Sequence, residues 1–269
     1  MDKKQRPAPG RLRKPEGWKD AVDAFIFDMD GVVTDTAVAH SAAWKRLFDD
    51  YREERVERGD EGFSPFQEKD YLKHLDGKPR YDGVEDFLAS RGIELPWGTP
   101  DDDPGAETIC GLGNRKNTFF QAWLKQNMVP VFPDAVPFIQ SLRADGIKTA
   151  IISSSRNCRA VLENAGLTDL FDVRVDGTEM ARLDLPGKPD PAIFYRAAEL
   201  LAVSGERVAV VEDALSGVKA GARGKFHRVI GVDRSGDGDR QDSLRSQGAD
   251  VVVEDLCELL EKEKRDFDE

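Results

Sequence analysis

Two carboxylates separated by a single residue, Asp28 and Asp30, stand where an apolar, β-prone run over residues 24–27 gives way to Gly31. Carboxylates at the end of a buried strand lie at the mouth of a sheet, where open α/β folds bind their ligands. Two later apolar runs end in a similar way, one in Ser153 and the other in Glu212 and Asp213. In a parallel sheet such ends line one edge, so groups far apart in sequence can meet there. Four carboxylates at one edge repel one another unless a cation joins them, and oxygen donors with no His or Cys nearby favour Mg2+. Lys188, ahead of a helix, adds positive charge, and Ser153 offers a hydroxyl and neighbouring backbone N–H groups to a phosphoryl oxygen. The set suits phosphoryl transfer. Mg2+ and Lys188 would offset the charge that keeps a carboxylate away from a phosphate, so that Asp28 attacks phosphorus and becomes an aspartyl phosphate. Asp30, just past the strand end, is placed to protonate the leaving oxygen and to deprotonate the next acceptor. Each residue alone has a plainer use: Asp28 and Asp30 as a solvated acidic turn, Ser153 as a helix cap, Lys188 as a solvated charge, Glu212 and Asp213 as a capping pair. Their occurrence together, each near a strand end, favours the chemical reading.

Positioning these groups is a matter of the elements around them. After the strand over 24–27, residues 36–51 switch to helical spacing, with Ala39, Ala43, Leu47 and Tyr51 recurring at every fourth position and Asp35 as a candidate cap. Residues 52–62 are almost wholly charged, and 96–105 are rich in Pro, Gly and Asp; both are expected to be loops or exposed edges. Between them, 68–92 predicts short helices broken at the Asp76-Gly77-Lys78-Pro79 turn, and 114–126 predicts another helix. The glycines of the GLGNRKN stretch are expected to free the entry to that helix. From residue 129 the pattern alternates, with helices expected over 134–144, 157–165, 191–201, 214–222 and from Leu256. Strands are expected over 147–152, 171–175, 208–211, 228–232 and 251–253. This alternation predicts an α/β fold with a doubly wound, mainly parallel sheet. The first strand precedes the helical segment and its companions follow it. Residues 36–128 are therefore expected to form an inserted α-helical cap domain above Asp28 and Asp30. Residues 20–35 and 129–269 form the core domain and 1–19 an N-terminal arm.

Composition excludes several function classes. The chain of 269 residues carries a net charge of −12, which leaves little clustered basic surface for nucleic acid. Three widely spaced cysteines fit a reducing compartment better than a disulfide framework. The basic, Pro-rich start lacks an apolar signal core, and no run approaches membrane-spanning length. The expectation is a cytoplasmic protein, a monomer, with no nucleic-acid or membrane partner.

The motifs DMDGVVT, SSS after a strand, GKPDP and VEDALSGVKAG together resemble those of the haloacid dehalogenase superfamily of phosphotransferases. The resemblance spans the core domain and implies that superfamily's Rossmann-like core. It implies Asp28 as nucleophile, Asp30 as acid/base, and Ser153 and Lys188 as phosphate ligands. Mg2+ would be held by Asp28, the backbone carbonyl of Asp30, Glu212 and Asp213.

Within the predicted cap, TDTAVAHSAAWKRLF, DGKPR and GNRKN are similar to the cap of the β-phosphoglucomutase family, matching Thr36, His40, Trp44, Arg80, Lys116 and Asn117. The resemblance implies that these residues line a closed cavity. Arg80 would hold the phosphate that is not being transferred, and Thr36 with His40 would couple cap closure to Asp30. Ser154, Ser155, Arg156 and Asn157, behind Ser153, similarly resemble that family's polar loop. Trp44 fits simple packing in the helix's apolar stripe equally well, and Arg80 and Lys116 also fit as surface charges. The charged 52–62 stretch and the 96–105 loop look longer than in compact members, which leaves the size of the sugar open.

The implied activity is a Mg2+-dependent phosphosugar mutase that interconverts β-glucose 1-phosphate and glucose 6-phosphate, with a sugar 1,6-bisphosphate as primer. A sugar phosphorylase is the partner enzyme that such a pathway suggests. The alternatives are a sugar-phosphate phosphatase with water as acceptor and, from another class, a catalytically silent phosphosugar-binding module.

Overall fold

The computed structural model describes residues 21–75, 78–236 and 238–260, so the expected arm and the Asp76-Gly77 turn lie outside the described residues. Six parallel strands form one sheet in the order β3-β2-β1-β4-β5-β6. They are β1 (Ala24–Asp28), β2 (Lys148–Ile152), β3 (Val173–Val175), β4 (Val208–Glu212), β5 (Arg228–Val232) and β6 (Val251–Val253). Every residue of β1 is buried, as a central strand requires. Successive side chains of a strand point to opposite faces. Phe25 and Phe27 accordingly pack against Phe138, Ile139 and Leu142 on one face, while Ala24 and Ile26 pack with Ile193, Phe194 and Ala197 on the other. Burial of each such large side chain is worth roughly 1.5–3 kcal/mol, so β1 is a firmly anchored platform.

Ten helices are described: α1 (Ala37–Glu57), α2 (Glu68–His74), α3 (Arg80–Ala89), α4 (Ile109–Gln126), α5 (Ala135–Ala144), α6 (Cys158–Asn164), α7 (Gly177–Leu183), α8 (Ala192–Leu201), α9 (Leu215–Arg223) and α10 (Gly238–Ser246). The first four stand together between β1 and α5 around their own apolar cluster of Trp44, Leu47, Phe48, Tyr51, Phe87 and Leu112 among others. Rings of Phe48 and Phe87 stack at its centre, 3.7 Å apart. Ala39, Ala43, Phe120 and Leu124, at the base of α1 and α4, belong instead to the core cluster beneath the sheet edge. Two crossings join the helical unit to the core side by side: Asp35 N donates to the Pro130 carbonyl at 2.9 Å, and Phe132 N donates to the Val33 carbonyl at 3.0 Å.

Several expectations need correction. Residues 58–62 are an exposed loop, as expected, and 52–57 are largely exposed too, but as the last turns of α1 rather than a loop, because Arg and Glu are good helix formers and tertiary pairs hold them. Arg115 bonds Glu54 at 2.7 Å, and Arg58 bonds Glu107 at 2.8 Å. Helix α4 starts at Ile109 rather than 114, since the Thr108 hydroxyl caps it by accepting from Gly111 N at 2.9 Å. The glycines of GLGNRKN therefore lie inside the helix. Asp35 does not cap α1; Thr36 occupies that position, and its hydroxyl is turned to Asp30 instead. Helices α7 and α10 escaped the periodicity reading. The former is a seven-residue helix capped by Asp176, and the latter buries Leu244 alone. The helix expected from Leu256 is helical from Glu258 to the last described residue. The 96–105 stretch is a loop, as expected.

Candidate active site

Strand register brings the chemical groups level. Asp28 pairs with Ile152, the residue before Ser153, and Phe27 pairs with Val211, the residue before Glu212. Asp28, Ser153 and Glu212 thus leave three adjacent strands at one height. Gly31, at φ 82°, turns the chain away just beyond them. A Cβ there would fall 2.1 Å from an Asp213 oxygen, so the turn must be glycine for Asp213 to reach Asp28. Gly217 does the same for Glu212, whose carboxylate lies 2.0 Å from where a Cβ would stand.

Lys188 reaches this edge from the far side, following which Pro189 is joined by a cis peptide bond. Its Nζ donates to Asp28 Oδ1 at 2.5 Å and also to Glu212 Oε1. Burial alone would lower the pKa of Lys188, but Asp28 and Glu212 overcome this and raise it, so it is a fixed positive charge. The backbone N–H of Asp30 donates to the other Asp28 oxygen at 3.0 Å. The Asp28 carboxylate is therefore held at both oxygens.

Carboxylate oxygens of Asp28, Glu212 and Asp213 lie within 4.8 Å of one another. Burial, and then the charge of Asp28, push Glu212 up to about 7. Burial and the charges of Glu212 and Asp28 push Asp213 well above its ordinary value. Such a trio is destabilised as three anions and relieved by a cation, and its all-oxygen donors fit a hard divalent ion. Asp30 is outside this trio. Its carboxylate accepts from the Thr36 hydroxyl through Oδ1 and from Ser153 Oγ at 3.3 Å through Oδ2. Burial and the neighbouring charge of Asp28 raise it to about 6, against the pull of both hydroxyls and Lys188. Two carboxylates two residues apart thus sit in different surroundings.

Behind Ser153 the polar loop is ordered by its own side chains. Ser155 N donates to Ser153 Oγ at 3.1 Å, and Asn157 N donates to Ser155 Oγ at 3.1 Å; Ser154 is exposed. Asn157 also donates to Asn117 Oδ1 of α4 at 2.8 Å, a direct tie between the core loop and the helical unit.

The remaining predicted residues lie on the helical unit. Lys116 is buried and stands 2.6 Å from His40 Nδ1, with its ammonium 5.0 Å from the Trp44 ring and 4.9 Å from that of Phe120. Trp44 is buried in the apolar cluster and stacks on Phe48, so it walls Lys116 from behind. Burial, and then Arg80, pull Lys116 down to about 7, while the charge of Asp30 opposes them. Arg80 is half-buried, its guanidinium 5.7 Å from the Tyr81 ring. Burial and the charge of Arg156 on the core loop lower its pKa. Arg80 thus stands within reach of the charges of both Lys116 and Arg156, and Lys116 also feels that of Asp30.

Asn114 and Tyr81, which contact Arg80, were not singled out from the sequence: Tyr81 adjoins Arg80 and Asn114 lies two residues before Lys116, and no spacing rule marks either.

A family model described as haloacid dehalogenase-like hydrolase matches residues 22–225. The β-phosphoglucomutase of Mycobacterium bovis is 48% identical over 245 residues, covering 91% of this chain and 94% of its own length. The phosphorylated carbohydrates phosphatase of Thermotoga maritima is 30% identical over 213 residues, covering 78% of this chain and 85% of its own. Among solved structures, the β-phosphoglucomutase of Clostridium difficile matches with a TM-score of 0.69 at 23% identity, over 91% of this chain and 98% of its own, which is a likeness of fold. Among the described residues, no helix is long and apolar enough to cross a membrane.

Proposed function

The chain belongs to the haloacid dehalogenase-like hydrolases, in their β-phosphoglucomutase-like branch, and on that premise we propose that it is a Mg2+-dependent phosphosugar mutase. It interconverts β-glucose 1-phosphate and glucose 6-phosphate through an aspartyl phosphate on Asp28 and a sugar 1,6-bisphosphate. Asp28, Glu212, Asp213 and the backbone carbonyl of Asp30 would hold Mg2+, which when bound neutralises charge on the transferring phosphoryl group.

Asp28, oriented by Lys188 and the Asp30 N–H, attacks the phosphorus of the bisphosphate primer, forming the Asp–O–P bond as the bond to the sugar oxygen breaks. Asp30 delivers its proton to that departing oxygen. Ser153 and Lys188 bind the oxygens of the phosphoryl group. In the return step Asp30 takes the proton of the acceptor hydroxyl as that oxygen attacks phosphorus and frees Asp28. A carboxyl near pKa 6 suits a group that must act both ways around neutral pH.

One observation favours a mutase over a simple hydrolase. Arg80 and Lys116 feel each other's charge, and Lys116 that of Asp30, so this basic pair beside the acid/base carboxyl supplies a place for a second phosphate, and a bisphosphate can bind in either orientation. The Asn117–Asn157 bond ties the helical unit to the core loop that follows Ser153. Formation of glucose 6-phosphate from β-glucose 1-phosphate, dependent on Mg2+ and a trace of 1,6-bisphosphate, is the expected result. Inorganic phosphate as sole product would overturn the mutase. The second reading is that same-site phosphatase, with water as acceptor, and the similarity to the Thermotoga maritima phosphatase favours it. A sugar phosphorylase is the class of enzyme that would supply the 1-phosphate.

A further inference from the structure

Resting on the reading of Arg80 as the receiver of the second phosphate, we propose that Asn114 is a positioning residue which, through the 96–105 loop, fixes where that phosphate is held. Asn114 lies in α4, two residues before the buried Lys116, and its amide is fully engaged. Nδ2 donates to the carbonyl of Pro100 at 3.0 Å and to the carbonyl of Asp102 at 2.9 Å. Oδ1 accepts from the Tyr81 hydroxyl at 3.0 Å and from Arg80 Nη1 at 3.5 Å. Carbonyls only accept, so the amide has a single orientation: NH2 to the loop, oxygen to Tyr81 and Arg80. Neither Asp nor Leu reproduces all four contacts.

The loop is a firm anchor for that amide. Asp102 is stapled by Thr99 at 2.8 Å and Thr108 at 2.6 Å, and the loop's start is tied to α4 through Ile109 N to the Pro96 carbonyl and Cys110 N to the Trp97 carbonyl. Gly113 supplies an independent sign that the approach is close. A Cβ there would stand 2.6 Å from the Tyr81 ring and 3.4 Å from Arg80 Cδ, so α4 leaves a notch for this pair of side chains. Arg80 is long and flexible; the Tyr81 ring and the Asn114 oxygen are the two contacts that narrow its reach. The distance from Arg80 to Asp28 sets which sugar bisphosphate spans the cavity. The 96–105 loop, remote from the reacting atoms, thereby takes part in substrate selection.

Steady-state kinetics of the full-length chain with β-glucose 1-phosphate, primer and Mg2+ test this, with Arg80→Ala as reference. Asn114→Ala is expected to raise KM about tenfold, as for a lost hydrogen bond to a charged group, while kcat changes less than about threefold. The KM of p-nitrophenyl phosphate, which has one phosphate only, should move far less. Asn114→Asp, an isostere whose added charge pairs with Arg80 and loses both donors to the loop, should raise KM at least as much; it answers the same question if Asn114→Ala does not fold. Unchanged KM in both Asn114 variants, with a raised KM in Arg80→Ala, would overturn the role of Asn114 alone. Unchanged KM in Arg80→Ala would overturn the second-phosphate reading and this inference with it. Equal losses of kcat on both substrates would mark Asn114 as merely structural and overturn the proposal.

Discussion

Lys116 Nζ and His40 Nδ1 are 2.6 Å apart, and burial lowers the pKa of both. Burial and the charges of Lys116 and Arg80 hold His40 well below its usual pKa, so it is a neutral ring that accepts from Lys116. Lys116 itself, at about 7, gives up its proton near neutrality. A phosphate dianion arriving beside it would restore that proton. Substrate binding is therefore expected to take up protons between pH 7 and 10, and affinity to fall as pH rises through this window. Calorimetry in buffers of differing ionisation enthalpy reads the uptake directly, and Lys116→Met should abolish it.

The same shift has a consequence for stability. Because the folded pKa of Lys116 lies below the unfolded value of 10.5, the unfolded chain binds more protons between pH 7 and 10.5, and the cost of burying Lys116 eases as pH rises. Lys116→Met should thus stabilise the protein more at pH 6.5 than at pH 9.5, by about 3 kcal/mol. Urea denaturation at the two pH values checks this. An equal gain at both would mean that Lys116 is not perturbed.

The Thr36 hydroxyl, at the start of α1, bonds the Asp30 carboxyl, the proposed acid/base. This bond lowers that group's pKa, so Thr36→Val should raise it and move the acidic limb of the pH profile of kcat/KM upward. A rate loss with an unmoved limb would leave Thr36 a packing role only.

Gly217 is a further sensitive point. Gly to Ala within a helix ordinarily stabilises by about 1 kcal/mol, yet here the new Cβ would collide with Glu212, which is wholly buried. Gly217→Ala is expected to weaken Mg2+ binding at least tenfold, measured by titration of the metal into the protein. Unchanged affinity would place Glu212 outside the metal site.

Removing Arg80 should separate the two candidate activities. Arg80→Ala is expected to lose far more mutase activity than hydrolysis of a small phosphoester. Equal losses would remove its second-phosphate role.

The core half of the site was legible in the sequence because strand ends are marked by abrupt changes from apolar to polar residues, and parallel register does the rest. Asp28, Ser153 and Glu212 needed no knowledge of tertiary contacts to be placed together. The helical half was less legible. The end of α1 reads as a charged loop because its stability comes from Glu54–Arg115 and Glu107–Arg58, pairs that no local window contains. Helix α10 buries one leucine and leaves no periodic trace. Asn114 was invisible for a related reason: its four partners come from the 96–105 loop and from α3, and an isolated Asn on a helix suggests nothing.

In the proposed reaction Asp28 carries the phosphoryl group and returns it to a sugar. Rapid-quench measurement with phosphorus-labelled glucose 1,6-bisphosphate and Mg2+ tests it most directly. Label is expected on Asp28, none in Asp28→Asn, and, on a chase with β-glucose 1-phosphate, transfer of the label to sugar faster than its release as phosphate. Absence of labelled Asp28, or release of phosphate at one rate with or without added sugar, would contradict it.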